Sequence, residues 1–251
     1  MLNRISNLSL LADAYLNRYT EDLNFWKELA EKTRGPILEL GCGSGRILLS
    51  IANQQKILVG VEIQHDFLLI LRERVQNKRY QHVMYFQADI TNFNLNLKFD
   101  LICIPCNTFS SLTETQRKAT LHRAAHHLSE SGLLVITLPN PSLLIDLPST
   151  SDLEVEDIFP HPLDSEPVQV SSRWERFSSH LDIFWCYDHL KSDGKVARNQ
   201  NVIRHCLVLV EDYHSELKEA GFTIRFVYGD YDRSSYEEQS PHLILGSAMT
   251  K

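Results

Sequence analysis

Three glycines separated by single residues, Gly41, Gly43 and Gly45, stand between Ile37-Leu38-Glu39-Leu40 and the apolar run that begins at Ile47. Glycine admits positive φ and lets backbone approach a ligand with no Cβ in the way. A helix that follows such a loop also presents free N–H groups at its start. At the end of the next apolar run stands Glu62, a carboxylate able to accept hydrogen bonds from both hydroxyls of a ribose. A glycine loop coupled to an acidic strand end reads as a nucleoside site. Its spacing also separates nucleosides. A dinucleotide fingerprint is G-x-G-x-x-G/A, whereas here the third glycine comes one residue early and Arg46 takes the place of the last small residue. A nicotinamide-dependent oxidoreductase is therefore the less favoured reading.

The elements that position these residues follow from periodicity. Leu8, Leu11, Tyr15, Tyr19, Leu23, Trp26 and Leu29 recur at spacings of three and four, which predicts a helical lead-in over residues 1–36. Short apolar runs then alternate with helical patterns. Ile37–Leu40, Ile57–Val61, Val83–Phe86, Leu101–Ile104 and Leu133–Leu138 read as strands, and 47–52 and 67–75 as helices. Thr113 and Gln116 predict a capping box on a helix that stops near Gly132. This alternation predicts an α/β fold, a mostly parallel sheet with helices on both faces. From Pro139 a Pro- and Ser-rich stretch through Pro148, Pro160, Pro162 and Pro167 reads as loop, after which Leu181, Ile183, Trp185 and Tyr187 alternate with other residues as in an antiparallel strand. Asp193-Gly194 is a turn signal before an expected strand at Val202–Val210. Residues 141–210 are thus an inserted antiparallel sheet within the same domain, and 37–140 with 211–251 form the core. Gly221 is the expected stop of one more helix, followed by strands at Phe222–Tyr228 and His242–Met249.

Other reactive residues read more plainly. Cys103 and Cys106 form a C-x-x-C pair, but Cys103 falls inside a strand and no second ligand pair accompanies it, so buried thiols are expected and no metal centre. His122 and His126, four apart, lack a partner glutamate and a third ligand, and predict a solvated helix face. In the insertion, His205 and His189 are weak candidates for a base that removes a proton at neutral pH.

The chain has 251 residues, with 25 Lys and Arg against 32 Asp and Glu, a formal charge of −7. That balance disfavours a nucleic-acid partner. The longest apolar runs are far shorter than the roughly 20 residues needed to span a bilayer, so no membrane association is expected. No secretion-signal pattern opens the chain and the five cysteines are odd in number and irregularly spaced, which predicts a cytoplasmic protein starting at Met1.

Glu39-x-Gly41-x-Gly43-x-Gly45 with Glu62 at the next strand end resembles motif I and its partner in the class I S-adenosylmethionine-dependent methyltransferases. The resemblance continues through Gln87-Ala88-Asp89-Ile90, Phe99-Asp100-Leu101-Ile102, the Leu128–Leu134 turn with Ser131 in place of a glycine, and Ala220-Gly221-Phe222. It covers about residues 15 to 140 and 211 to 249 and leaves the insertion uncovered. It implies a Rossmann-like seven-stranded sheet with a C-terminal reversed β-hairpin, and S-adenosyl-L-methionine as cofactor with S-adenosyl-L-homocysteine as product. It further implies that Gly41, Gly43 and Gly45 lie against the methionine part, that Glu62 holds the ribose, that Asp89 and Ile90 bracket the adenine, and that Cys42, Ser44 and Ile63 also border the cofactor. Pro105 and Cys106 border the same site, and Tyr15 and Tyr19 stand where related enzymes close the cofactor from above. The expected reaction is methyl transfer to an amine or hydroxyl of a small molecule, by a monomer or homodimer; a non-catalytic cofactor-binding partner or sensor is the alternative. Pro105-Cys106 also resembles the Pro-Cys nucleophile of cytosine C5 methyltransferases, a reading that the acidic chain disfavours.

Overall fold

The computed structural model describes residues 5–52 and 56–250. Its elements in chain order begin with α1 (Asn7–Leu16), α2 (Leu23–Lys32), β1 (Ile37–Leu40), α3 (Arg46–Ser50), β2 (Leu58–Glu62), α4 (His65–Lys78), β3 (Val83–Gln87), β4 (Phe99–Ile104) and α5 (Glu114–His127). They continue with β5 (Leu128–Pro139), α6 (Pro141–Asp146), β6 (Glu154–Pro160), β7 (Pro167–Arg176), β8 (His180–Leu190), β9 (Val196–Cys206), α7 (Val210–Glu219), β10 (Phe222–Tyr228) and β11 (His242–Met249). Two compact units emerge, one of Glu21–Ile145 with the segment from Val208 onward, the other of the segment up to Thr20 with Asp146–Leu207. Among the described residues, no helix is long and apolar enough to cross a membrane.

The larger unit is a seven-stranded sheet in the order β10-β11-β5-β4-β1-β2-β3. β1, β2, β3, β4 and β5 pair in parallel, while β11 runs antiparallel to both β5 and β10. Successive side chains point to opposite faces, so Leu38 and Leu40 enter a core that includes Leu121 of α5 and Leu217 of α7. Ile37 enters the other, with Trp26 of α2, Ile47 of α3 and Leu71 of α4. The expected capping box at Thr113 and Gln116 is present, and Gly221, at φ 85°, ends α7. The helix expected to run to Gly132 stops instead at His127. Leu128 is buried and pairs with Phe99, so the sheet captures its side chain and extends β5 backward.

The smaller unit holds α1 and a four-stranded antiparallel sheet, β6-β7-β8-β9. The Pro-rich stretch expected as loop contains two of these strands and α6. The prolines sit where they cost no ladder hydrogen bond: Pro160 ends β6, Pro167 opens β7, and the two face each other. Pro141 takes the first position of α6, where its missing N–H is harmless, and the Asn140 side chain accepts the Ser142 N–H at 3.0 Å. The strand expected at Val202–Val210 runs instead from Val196 to Cys206, and α7 begins at Val210. Its first half is polar and gave no apolar run to read, yet it pairs residue for residue with β8, with Arg198 opposite Asp188.

Candidate functional site

In the larger sheet the strand order reverses between β1 and β4. Connections leaving neighbouring strands on opposite sides open a crevice beyond their carboxyl ends, where ligands of open α/β sheets bind. β1 ends at Leu40 and the glycine loop follows, with Gly41, Gly43 and Gly45 at φ 75°, 52° and 87°. The loop is tied to β2 because the Gly41 and Cys42 N–H groups donate to the Val61 carbonyl at 2.8 and 3.1 Å. The glycines do different work. A Cβ on Gly41 would meet the Thr108 side chain at 2.7 Å, and one on Gly45 would meet Leu71 at 2.5 Å, whereas one on Gly43 meets nothing within 4 Å. Gly41 and Gly45 are required by packing, and Gly43 borders open space.

Glu62 closes β2 and is buried. Its Oε2 accepts the Gly43 N–H at 2.9 Å and its Oε1 the Gln64 N–H at 2.8 Å, so one carboxylate fixes both the middle of the loop and the strand end. Ile63 is 58% exposed beside it. Glu62 pairs with Gln87 at the end of β3, which brings Asp89 to the same edge. Asp89 is exposed, its Oδ1 taken by the Thr91 N–H and hydroxyl at 2.8 and 2.7 Å, while Ile90 is buried in the core. From the other side of the crevice, β4 leads into buried Pro105, then Cys106 and Asn107 at φ 57° and 62°. Non-glycine residues cost about 1–2 kcal/mol each in that conformation, and such strain collects at functional sites. The structure therefore brings Gly41–Gly45, Glu62, Ile63, Asp89, Ile90, Pro105 and Cys106 to the carboxyl ends of four adjacent strands.

Two features escaped the sequence reading. Asp22, fully buried just before α2, receives Arg46 through two bonds of 2.6 and 2.7 Å, and Arg46 also reaches Cys106 Sγ at 2.7 Å. Arg46 thereby joins the glycine loop to the β4 connection. The pairing partners lie 24 residues apart, and no local spacing advertises them. Beneath the loop, burial pushes the Glu39 carboxyl well above the usual range against the pull of Arg46, which favours a neutral acid. Ser44 is buried and takes Arg74 at 2.8 Å on its hydroxyl.

The cysteines divide. Cys103 is buried in β4 as expected, but Cys106 is exposed, so the expectation of two buried thiols holds for the first alone. The chain turns left-handed at Cys106, which lifts it out of the strand. Desolvation around its sulfur outweighs the Arg46 charge and pushes the thiol up to about 11, which argues against a nucleophile at neutral pH. His122 and His126 are exposed on α5.

Tyr15, Tyr19, His189 and His205 belong to the smaller unit. The Tyr15 ring lies 5.4, 6.3 and 6.4 Å from those of Trp185, Tyr187 and Phe159, and Tyr19 is exposed. His205 stands opposite Leu181, and His189 is farther along the same β8. At about 3.3 Å per residue the two histidines are roughly 26 Å apart and do not serve one substrate together. Burial pushes His205 down to about 4, leaving it a poor proton acceptor at neutral pH.

The strand order is that of an open α/β sheet whose crevice lies over the glycine loop and the acidic strand ends. Residues 37–132 match the family model described as a methyltransferase domain. A protein of Geobacillus sp. (strain WCH70), provisionally named a methyltransferase, is 26% identical over 217 residues, 83% of this chain and 82% of that one. A solved S-adenosylmethionine-dependent methyltransferase from Clostridium acetobutylicum superposes with a TM-score of 0.82 at 17% identity, covering 96% of this chain and 98% of that one. A sugar N-methyltransferase from Streptoalloteichus gives 0.74 at 18% identity, covering 92% and 88%. Residues 37–132 are thus a methyltransferase domain, and the fold is that of the solved S-adenosylmethionine-dependent methyltransferases.

Proposed function

We propose that the crevice at the ends of β1, β2, β3 and β4 holds S-adenosyl-L-methionine and that the enzyme methylates an amine or hydroxyl of a small molecule. The observation that carries this reading is the open space over Gly43, in a loop that Glu62 pins from the next strand. A cradle that a Cβ would fill, walled by a carboxylate and the exposed Ile63, fits a nucleoside with a charged tail. Gly43 and its neighbours would face the methionine part, Glu62 the ribose, and Ile63, Asp89 and Ile90 the adenine. The bound sulfonium supplies an already activated methyl group. What remains for the chain is to hold an acceptor in line and keep water out, and orientation alone supplies about 7–11 kcal/mol in favourable cases. No metal or obligatory base is needed for that step. A small-molecule acceptor is supported by the net charge of −7 and by the likeness to a sugar N-methyltransferase.

Calorimetric titration with S-adenosyl-L-homocysteine tests the cofactor half. We expect binding that Gly43→Ala and Glu62→Ala each weaken at least tenfold, and no response to a nicotinamide dinucleotide. Wild-type affinity in both variants overturns it. Isotope-labelled S-adenosyl-L-methionine incubated with amino sugars and a metabolite extract tests transfer, and cofactor binding without any labelled product would point to a sensor or partner subunit.

A further inference from the structure

A compact histidine and carboxylate cluster in the smaller unit plays no part in this reading. His161, Asp164 and Glu166 lie in the connection between β6 and β7, and His189 lies on β8 opposite Val168. Both histidines are buried, and the ligating atoms of His161, Asp164 and His189 all lie within 4.8 Å of one another. His161 Nδ1 accepts the Leu163 N–H at 3.3 Å, which leaves the ring proton on Nε2, 3.0 Å from Asn7 Oδ1. Nδ1 is then an acceptor, and so is Asp164 Oδ1, 3.2 Å away. In that tautomer no hydrogen lies between them. The same Oδ1 is 3.2 Å from His189 Nε2, and Glu166 Oε2 stands 3.3 Å from that nitrogen. Neighbouring ligands on tetrahedral zinc, with bonds of about 2.0–2.2 Å, are separated by roughly 3.3 Å.

We propose that the inserted sheet carries a divalent transition-metal site of the zinc class, built from His161 Nδ1, His189 Nε2, Asp164 Oδ1 and Glu166 Oε2. Two imidazoles with two carboxylates suit zinc better than the all-oxygen cations magnesium and calcium. Four protein ligands complete a tetrahedral shell, so the site is structural. It clamps the β6–β7 connection to β8. Outer partners are already in place. Asn7 Oδ1 orients His161, Lys191 Nζ lies 3.1 Å from Asp164 Oδ2, and the Ser192 N–H donates to Glu166 Oε1 at 2.9 Å. The two rings are stacked, 10° apart with centroids at 3.9 Å, so one ion cannot lie in both ring planes. Binding therefore turns the His189 ring about its Cβ–Cγ bond and displaces the long Leu163 contact.

The test is titration of the full chain, any affinity tag removed and chelator dialysed away, with Co²⁺ followed by visible absorption and with Zn²⁺ by calorimetry. We expect one equivalent bound, tetrahedral cobalt bands, and a melting temperature raised by zinc. His189→Gln and the exposed-side Asp164→Asn lose that equivalent, Asn7→Ala weakens it roughly 10- to 100-fold, and His122→Ala leaves it unchanged. Absence of a stoichiometric equivalent in the wild type overturns the site, as does a folded Asp164→Asn protein that binds zinc like its parent.

Discussion

Every residue of β1 and β2 is buried, whereas along β9 only His205 is. The seven-stranded sheet has helices on both faces and holds together by apolar packing, with a few ion pairs taken fully inside. The Arg117 and Glu216 pair between α5 and α7 is one, at 2.6 and 2.8 Å, with side chains only 4% and 7% exposed. The four-stranded sheet instead pairs buried aspartates with arginines that stay more than half exposed, as in the direct cross-strand pairs Arg198 with Asp188 and Arg204 with Asp182, bonded at 2.7 Å. The same guanidinium–carboxylate geometry therefore carries different weight in the two sheets, because the cost of stranding one partner depends on how much water can replace the other.

Substitutions sharpen or break that contrast. Glu216→Ala strands a buried guanidinium and should lower unfolding free energy by about 3–5 kcal/mol in urea titrations. A loss below 1 kcal/mol would erase the distinction between the sheets. His205, the one buried residue of β9, should give the smaller sheet an acid sensitivity. Its folded pKa of about 4 lies below its ordinary value of 6.5, so the unfolded chain binds the proton first and stability falls as pH drops through that window. The loss should be about 2 kcal/mol between pH 7 and pH 5, and His205→Leu should remove that share of the slope. Within the glycine loop, Gly45→Ala should destabilise the fold more than Gly43→Ala. Both residues have positive φ, which costs about 1–2 kcal/mol, but the first alone also meets Leu71. Equal melting temperatures for the two variants would remove the division of labour between these glycines. The smallest effect belongs to Asp188→Ala, whose partner Arg198 stays largely solvated, and we expect no change beyond experimental scatter.

Legibility followed the same boundary. In the larger sheet nearly every strand was readable, since two buried faces produce continuous apolar runs, and the reversed hairpin followed from the family resemblance. The candidate site was legible where local spacing carries it, at Gly41–Gly45 and Glu62, while Asp89 followed from the family resemblance. Asp22 was not, because an ion pair 24 residues apart leaves no local trace. In the smaller sheet β8 was readable by alternation, but β6 and β7 were masked by prolines at their ends and the polar half of β9 had no apolar signal. The histidine and carboxylate cluster was missed for a related reason. Its members are drawn together only when β8 returns alongside β7.

By itself the sequence determined the glycine loop, the acidic strand ends and the alternation that makes a parallel sheet, because these depend on φ preference and on the periodicity of burial along short stretches. Tertiary structure alone decided which glycine faces open space, which arginine is locked to which aspartate, and that a histidine of the β6–β7 connection and one of β8 share the Asp164 carboxylate. Those outcomes depend on distances between chain-remote atoms, and such distances exist only once the strands have found their neighbours.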